Sequence, residues 1–113
     1  MKSYNFSDNT DVQSYIVVST EAVTKVSQSF VDLTEYLIDE LLGRNISDVF
    51  SILRVGPNFD IENINEHCDY FLFTKTLDVR FINIDVIEDM HEKVYVFSKK
   101  PNSRLNINTR SWK

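Results

Sequence analysis

An α+β fold, with short helices laid over one face of a single sheet, is predicted by three observations on the order of the hydrophobic patterns. Two short β-branched runs come first, helical spacing occupies the middle, and three further β-rich runs follow. The connections between those last three are too short for crossover helices, so consecutive strands there must pair antiparallel.

Tyr15-Ile-Val-Val-Ser19 is β-branched and aromatic, Thr20-Glu21 interrupts, and Ala22-Val-Thr-Lys-Val26 alternates with period two, which predicts a hairpin without an Asn-Gly or Asp-Gly turn. From Ser27 the period lengthens. Phe30, Leu33, Tyr36 and Leu37 share a helical face, Ser29 with Asp32 approximates a capping box, and Thr34 offers a second cap, so residues 29–42 read as one bent helix or two short ones.

The run Glu40-Leu-Leu-Gly-Arg-Asn-Ile-Ser-Asp-Val-Phe50 then packs a helix end, a Gly stop and a helix start into eleven residues. Glu40 and Arg44 stand four apart for a helix-surface pair, and Gly43 supplies the left-handed backbone that ends helices. Ser47 is placed to cap a helix carrying Val49, Phe50, Ile52 and Leu53, which Gly56-Pro57 terminates; Asp60 can cap a last turn before His67.

Asp69-Tyr-Phe-Leu-Phe-Thr-Lys75, Asp78-Val-Arg-Phe-Ile-Asn-Ile-Asp-Val-Ile87 and Lys93-Val-Tyr-Val-Phe-Ser98 are the closing strands. In the long one, Ile82, Ile84 and Val86 fall on one face, the better candidate for the helix-covered side. Val79, Phe81, Asn83 and Asp85 fall on the other. That open face, half apolar through Val79 and Phe81, calls for a partner or a packed terminal arm, so the expected partner is a second copy, joined through this face or through the N-terminal arm with its Tyr4 and Phe6.

At 113 residues the chain fits one domain, and folding hides roughly two-thirds of the unfolded surface. The expected layout is a loose N-terminal arm over residues 1–13, the domain over 14–100 and an exit linker over 101–113, one module of a longer protein. Twelve Lys plus Arg against 17 Asp plus Glu give a net charge of −5, which argues against sequence-independent binding to nucleic-acid phosphates. The basic cluster of Lys99, Lys100, Arg104, Arg110 and Lys113 reads as a solvated tail rather than an anion site. The lone Cys68 excludes an internal disulfide framework and a cysteine zinc site, and the N-terminus lacks an apolar signal core; a cytoplasmic domain without direct membrane contact is expected.

Little marks an enzyme. With Gly43 and Gly56 as its two glycines the chain has no phosphate-cradling loop, no Ser sits in a nucleophile elbow, and Asp69, Asp78 and Asp85 read as turn and strand-surface residues. His67 and His91 with Glu66, Glu88 and Glu92 do not have the spacing of a known metal-ligand set, and His91 falls in a hairpin loop.

Taken in order, Tyr15–Ser19, the run from Val26 to Tyr36, the Glu40–Phe50 segment and the closing strands resemble the PAS domain over about residues 14–100. The resemblance implies a five-stranded antiparallel sheet of order 2-1-5-4-3 around a small interior cavity. Residues lining it would be Phe30, Leu33, Leu41, Ile52 and Leu53 from the helices and Phe71, Phe73, Ile82 and Ile84 from the strands, with plain core packing as the alternative for each. It further implies a non-catalytic sensory module of a bacterial signal-transduction protein, such as a histidine kinase or diguanylate cyclase, that binds a small molecule and relays the change to an attached output domain. A ligand-free dimerisation or relay module is the alternative.

The cofactor is not identified by the resemblance. Gly43-Arg-Asn45 is similar to the photoreceptor branch, where a Cys that attacks flavin follows, but Ile46 stands there and excludes that adduct. Haem-binding members place a His before the third strand; His67 lies near that region but at the end of an Asn- and Glu-rich segment, which disfavours axial ligation.

Overall fold

Residues 13–99 are described in the computed structural model. They form β1 (Ser14–Ser19), β2 (Ala22–Val26), α1 (Gln28–Thr34), α2 (Ile38–Leu41), α3 (Ile46–Leu53), a 3-10 turn (Ile61–Asn63), β3 (Tyr70–Phe73), β4 (Val79–Asp89) and β5 (Glu92–Lys99). The five strands make one sheet of order β2-β1-β5-β4-β3, antiparallel throughout. This is the expected α+β arrangement with its strand order. The arm and linker anticipated at the two ends lie outside the described residues, apart from Gln13.

The β1–β2 hairpin turns without glycine: Thr20 and Glu21 both take positive φ, 53° and 68°, the pair of left-handed residues that a two-residue hairpin loop demands. Helix α1 is capped two residues earlier than the Ser29 reading. Its cap is Ser27, whose buried Oγ accepts from the N–H of Phe30 at 3.2 Å and of Tyr15 at 2.9 Å and donates to the carbonyl of Gln13 at 3.1 Å. A tertiary tie to β1 therefore selects between two serines that are locally equivalent. Residues 28–41 divide into two helices because Glu35 turns left-handed, at φ 69°, after α1.

Thr34 does not cap α2; its hydroxyl donates to the carbonyl of Phe30 at 2.9 Å. Instead the Glu40 carboxylate accepts from the N–H of Leu37 at 2.8 Å. Gly43 does take the left-handed φ of 81°. Arg44 donates to the backbone carbonyl of Glu40 rather than to its carboxylate, which pairs with Lys75. For α3 the cap is Asn45, accepting from the N–H of Ser47 at 2.8 Å, and the helix ends at Arg54 in the left-handed region, before Gly56 is reached.

Between the helices and the sheet lies the main core, with Ile16, Phe30, Leu41, Leu53, Ile82, Ile84 and Phe97 among its buried members. Each such side chain contributes about 1.5–3 kcal/mol by leaving water. Phe97 of β5 is its centre: Phe30 meets it edge-on at 4.9 Å and Phe50 stacks at 5.9 Å. On the other sheet face Tyr15, Val17, Val94 and Val96 form a second buried cluster, with Ile87 against it. Among the described residues no helix is long and apolar enough to cross a membrane.

Candidate functional site

The helix-covered face is not closed at its hairpin end. Alternation along β1 puts Val18 on the same side as Ile16, and alternation along β5 puts Lys93 and Tyr95 on the side of Phe97. Helix α3 is fastened to this end, because the N–H of Ile46 donates to the carbonyl of Glu21 at 2.8 Å and that of Val23 to the carbonyl of Arg44 at 2.9 Å. A cleft of about 170 Å³ remains between these strands, the start of α3 and the 3-10 turn. Val18, Ile46, Ile61 and Tyr95 give it an apolar interior, and Glu21, Glu62, His91 and Lys93 stand among its polar lining.

Tyr95 is the distinctive group. Only 3 % exposed, its ring meets Phe50 edge-on at 5.4 Å, yet its hydroxyl has no hydrogen-bond partner among the described residues. A buried phenol normally finds one. Burial pushes its pKa above the ordinary 10.0, with the carboxylates of Glu62, Glu88 and Glu21 adding to the rise, so it stays protonated and keeps both a donor and an acceptor.

A second, more open cleft of about 350 Å³ lies on the other side of the 3-10 turn, lined by Phe50, Arg54, Val55 and Phe59, and Ser47 and Ile61 border both spaces. No residue of the turn is buried. Asp60 caps it as expected, accepting from the N–H of Glu62 at 3.0 Å and the amide of Asn63 at 2.9 Å; the Asn63 bond and then the Glu62 bond hold its carboxyl below the ordinary 3.8.

Of the nine residues expected around a cavity, Phe30, Leu33, Leu41, Leu53, Ile82 and Ile84 are buried together in the main core and Ile52 packs against it. None of the nine lines the cleft beside Tyr95. Phe71 and Phe73 are placed on the opposite sheet face. The register sets Tyr70 beside Ile82 and Phe71 beside Phe81, so Tyr70 and Leu72 are the inward residues of β3. Since all four residues of Tyr70–Phe73 are apolar, alternation within the strand carries no sign of which face is inner.

Phe71 instead sits over Gly56, where an added Cβ would lie 3.1 Å from its ring. Its outward neighbours Val79 and Phe81 are 43 % and 51 % exposed. Val86 shares the inner face with Ile84 but is 37 % exposed.

The sequence did not single out Val18, Ile61 or Tyr95. Strand alternation alone signals the inward direction of Val18 and Tyr95, whereas the missing partner of Tyr95 depends on the tertiary arrangement.

Cofactor chemistry can be tested against these positions. Ile46 stands on the wall of the cleft, and Cys68 is exposed and outside its lining, so no thiol faces that space. Cys68 is also not the small buried hydrophobe a lone cysteine often is. His67 carries its side chain 86 % exposed, 3.7 Å from Glu66, without an apolar pocket over it. His91 is exposed in the β4–β5 turn, as expected, and contributes to the rim. Among the described residues no three His, Cys, Asp or Glu side chains converge as metal ligands would.

No family model and no curated protein matches the chain. Solved structures do. A light-oxygen-voltage domain studied with a flavin analogue is similar at 18 % identity and a TM-score of 0.61, over 89 % of this chain and 88 % of that one. A PAS domain from a two-component sensor histidine kinase shares 18 % identity over 78 % of this chain and 84 % of that one, with a TM-score of 0.52. The PAS domain of an HTR-like protein from Haloarcula marismortui gives 14 % identity, the same coverages of 78 % and 84 %, and 0.53. At these identities the likeness is one of fold.

Proposed function

Because the chain has the PAS fold, we propose that it is the sensory, non-catalytic module of a bacterial signal-transduction protein, such as a histidine kinase or diguanylate cyclase. It holds a small molecule in the cleft at the hairpin end of the helix-covered face and passes occupancy to an output domain of the same polypeptide, in the cytoplasm. The observation that carries this reading is the hydroxyl of the buried residue Tyr95, unpartnered among the described residues, at a space large enough for a few atoms. Ligand contact with Ile61 would move the 3-10 turn, while contact with Tyr95 acts on β5, the strand that ends at Lys99 and leads toward the C-terminal residues. Coupling requires that the ligand bind the two states unequally. The core residues Phe30, Leu33, Leu41, Ile52, Leu53, Ile82 and Ile84 serve in this reading as the packing against which the helices shift.

Thermal stability across a metabolite panel, with native mass spectrometry, tests it. A hit that stabilises the wild type and loses its effect in Ile46→Phe, whose larger side chain fills the cleft, is expected. A panel without a stabilising compound, and a protein without a bound species, would overturn the reading.

A second reading is favoured by the outer face of β3 and β4, where Phe71 pairs with Phe81 and Phe73 with Val79. Two copies could associate there without any ligand. Light scattering separates the readings: a wild-type dimer that Phe81→Glu converts to monomer supports association, and a monomeric wild type removes it.

A further inference from the structure

We infer that the cleft selects a small organic cation, a primary ammonium on a short apolar body, received by the Tyr95 oxygen together with the carboxylates of Glu21 and Glu62. The inference rests on the sensory reading above and gives its ligand a chemical class.

Charge is the first ground. Glu21 and Glu62 line the cleft, and neither has an ion-pair partner among the described residues. The Lys93 ammonium on the rim is matched by Glu88, its cross-strand neighbour, at 3.7 Å. The carboxylates of Glu62, Glu88 and Glu21 all act on the Tyr95 phenol in the same sense, which marks a negative potential at its oxygen. His91, also on the rim, is the other titratable group facing the space. A carboxylate or phosphate ligand would meet this field as repulsion, and a neutral one would gain nothing from it.

Hydrogen bonding is the second ground. An ammonium offers three N–H donors and no acceptor. The cleft supplies the complement: the phenol oxygen of Tyr95, a residue 3 % exposed, which lacks a partner among the described residues, beside two carboxylates. Bonds to a charged donor are the stronger kind. Size is the third. About 170 Å³ is close to the roughly 150 Å³ that takes up a benzene-sized molecule, which leaves room for a body of about six heavy atoms against Val18, Ile46 and Ile61.

The test is a nuclear magnetic resonance titration of the isotope-labelled 113-residue chain with butylammonium, butanol and butyrate, three probes of one shape and different charge. Butylammonium is expected to shift the amide signals of Glu21, Ile46 and Tyr95 and to bind about tenfold tighter than butanol, with butyrate weakest. Tyr95→Phe and Glu62→Gln should each weaken butylammonium about tenfold and butanol distinctly less, narrowing the preference for the cation, a pattern that simple misfolding would not give. Butanol or butyrate binding at the same signals as tightly as butylammonium would overturn the cation assignment while leaving the sensory cleft in place. Unaltered butylammonium affinity in both variants would also overturn it. Should none of the three probes shift those signals, the assignment falls too, and the metabolite panel decides the sensory reading separately.

Discussion

Glu35, at the left-handed end of α1, accepts hydrogen bonds from both the hydroxyl and the backbone N–H of Thr76 in the β3–β4 turn, 41 residues further along the chain. Arg80 joins the same carboxylate at 3.3 Å. Five residues on, the Glu40 carboxylate repeats the arrangement with the Lys75 ammonium and the N–H of Leu37, and the Lys75 N–H donates to the carbonyl of Thr34 at 3.0 Å. The helices α1 and α2 are thus clipped to the far edge of the sheet by groups on the surface, independently of the core.

Acid should open this clip. The Thr76 hydroxyl and the Lys75 ammonium are the largest of the influences that hold Glu35 and Glu40, respectively, below the ordinary carboxyl value of 4.5. A carboxyl lowered on folding adds stability above its unfolded value, and that stability is lost as pH falls through the folded one. The melting temperature of the wild type should therefore decline from about 4.5 downward. Glu35→Gln with Glu40→Gln should melt lower near neutrality and show a flatter acid limb, so that the two curves converge. An unchanged acid slope in the double variant would assign the effect to other groups.

Ser27→Ala should cost about 2–3 kcal/mol, more than an exposed helix cap, because it leaves the N–H groups of Phe30 and Tyr15 without their acceptor in a buried position. Urea unfolding followed by circular dichroism measures it. Ser29→Ala is the control; a cost equal to that of Ser27→Ala would contradict the cap assignment.

The contrast between Phe50 and Phe59 tests the packing around the two clefts. Phe50 is 4 % exposed and meets Phe59, Tyr95 and Phe97, so Phe50→Ala should lose about 3–5 kcal/mol. Phe59 is half-buried at the margin, and Phe59→Ala should lose distinctly less. Equal losses in urea would mean that the margin is as tightly packed as the centre.

Arg54→Gly should stabilise. Arg54 ends α3 at φ 52°, where a side chain costs about 1–2 kcal/mol, and glycine returns part of that through unfolded-state entropy, leaving a gain of about 0.5–1 kcal/mol. A higher urea midpoint at unchanged slope is the expected result; a lower one would show that its exposed side chain contributes more than its backbone costs.

Much of the fold was legible because strands and helices differ in period: all five strands and the divided helical region follow from where β-branched and aromatic runs give way to spacing of three and four. The strand order required the family resemblance, since pairing β1 with β5 is a long-range choice that no local pattern carries. The caps of α1 and α3 were misassigned by two residues, Ser29 for Ser27 and Ser47 for Asn45, whereas Asp60 was read correctly. Neighbouring polar residues are equally good caps in isolation, and contacts from β1 or the β1–β2 turn break the tie. The face of β3 was misread because register against β4, not composition, decides it. The cleft was invisible for a related reason: its walls come from four separated segments.

Ile61 borders both clefts, and the three-residue turn that carries it contributes nothing buried. The capacity of the site is consequently set by a partition rather than by the fold. Displacing one side chain would merge a chamber for a few atoms with a larger neighbour, at the expense of the contact that half-buried Ile61 makes with the margin of the main core. Substitutions at this single position, Ile61→Ala or Ile61→Gly, would retune which sizes of molecule the space admits, so that two chains with identical scaffolds would differ in what fits there.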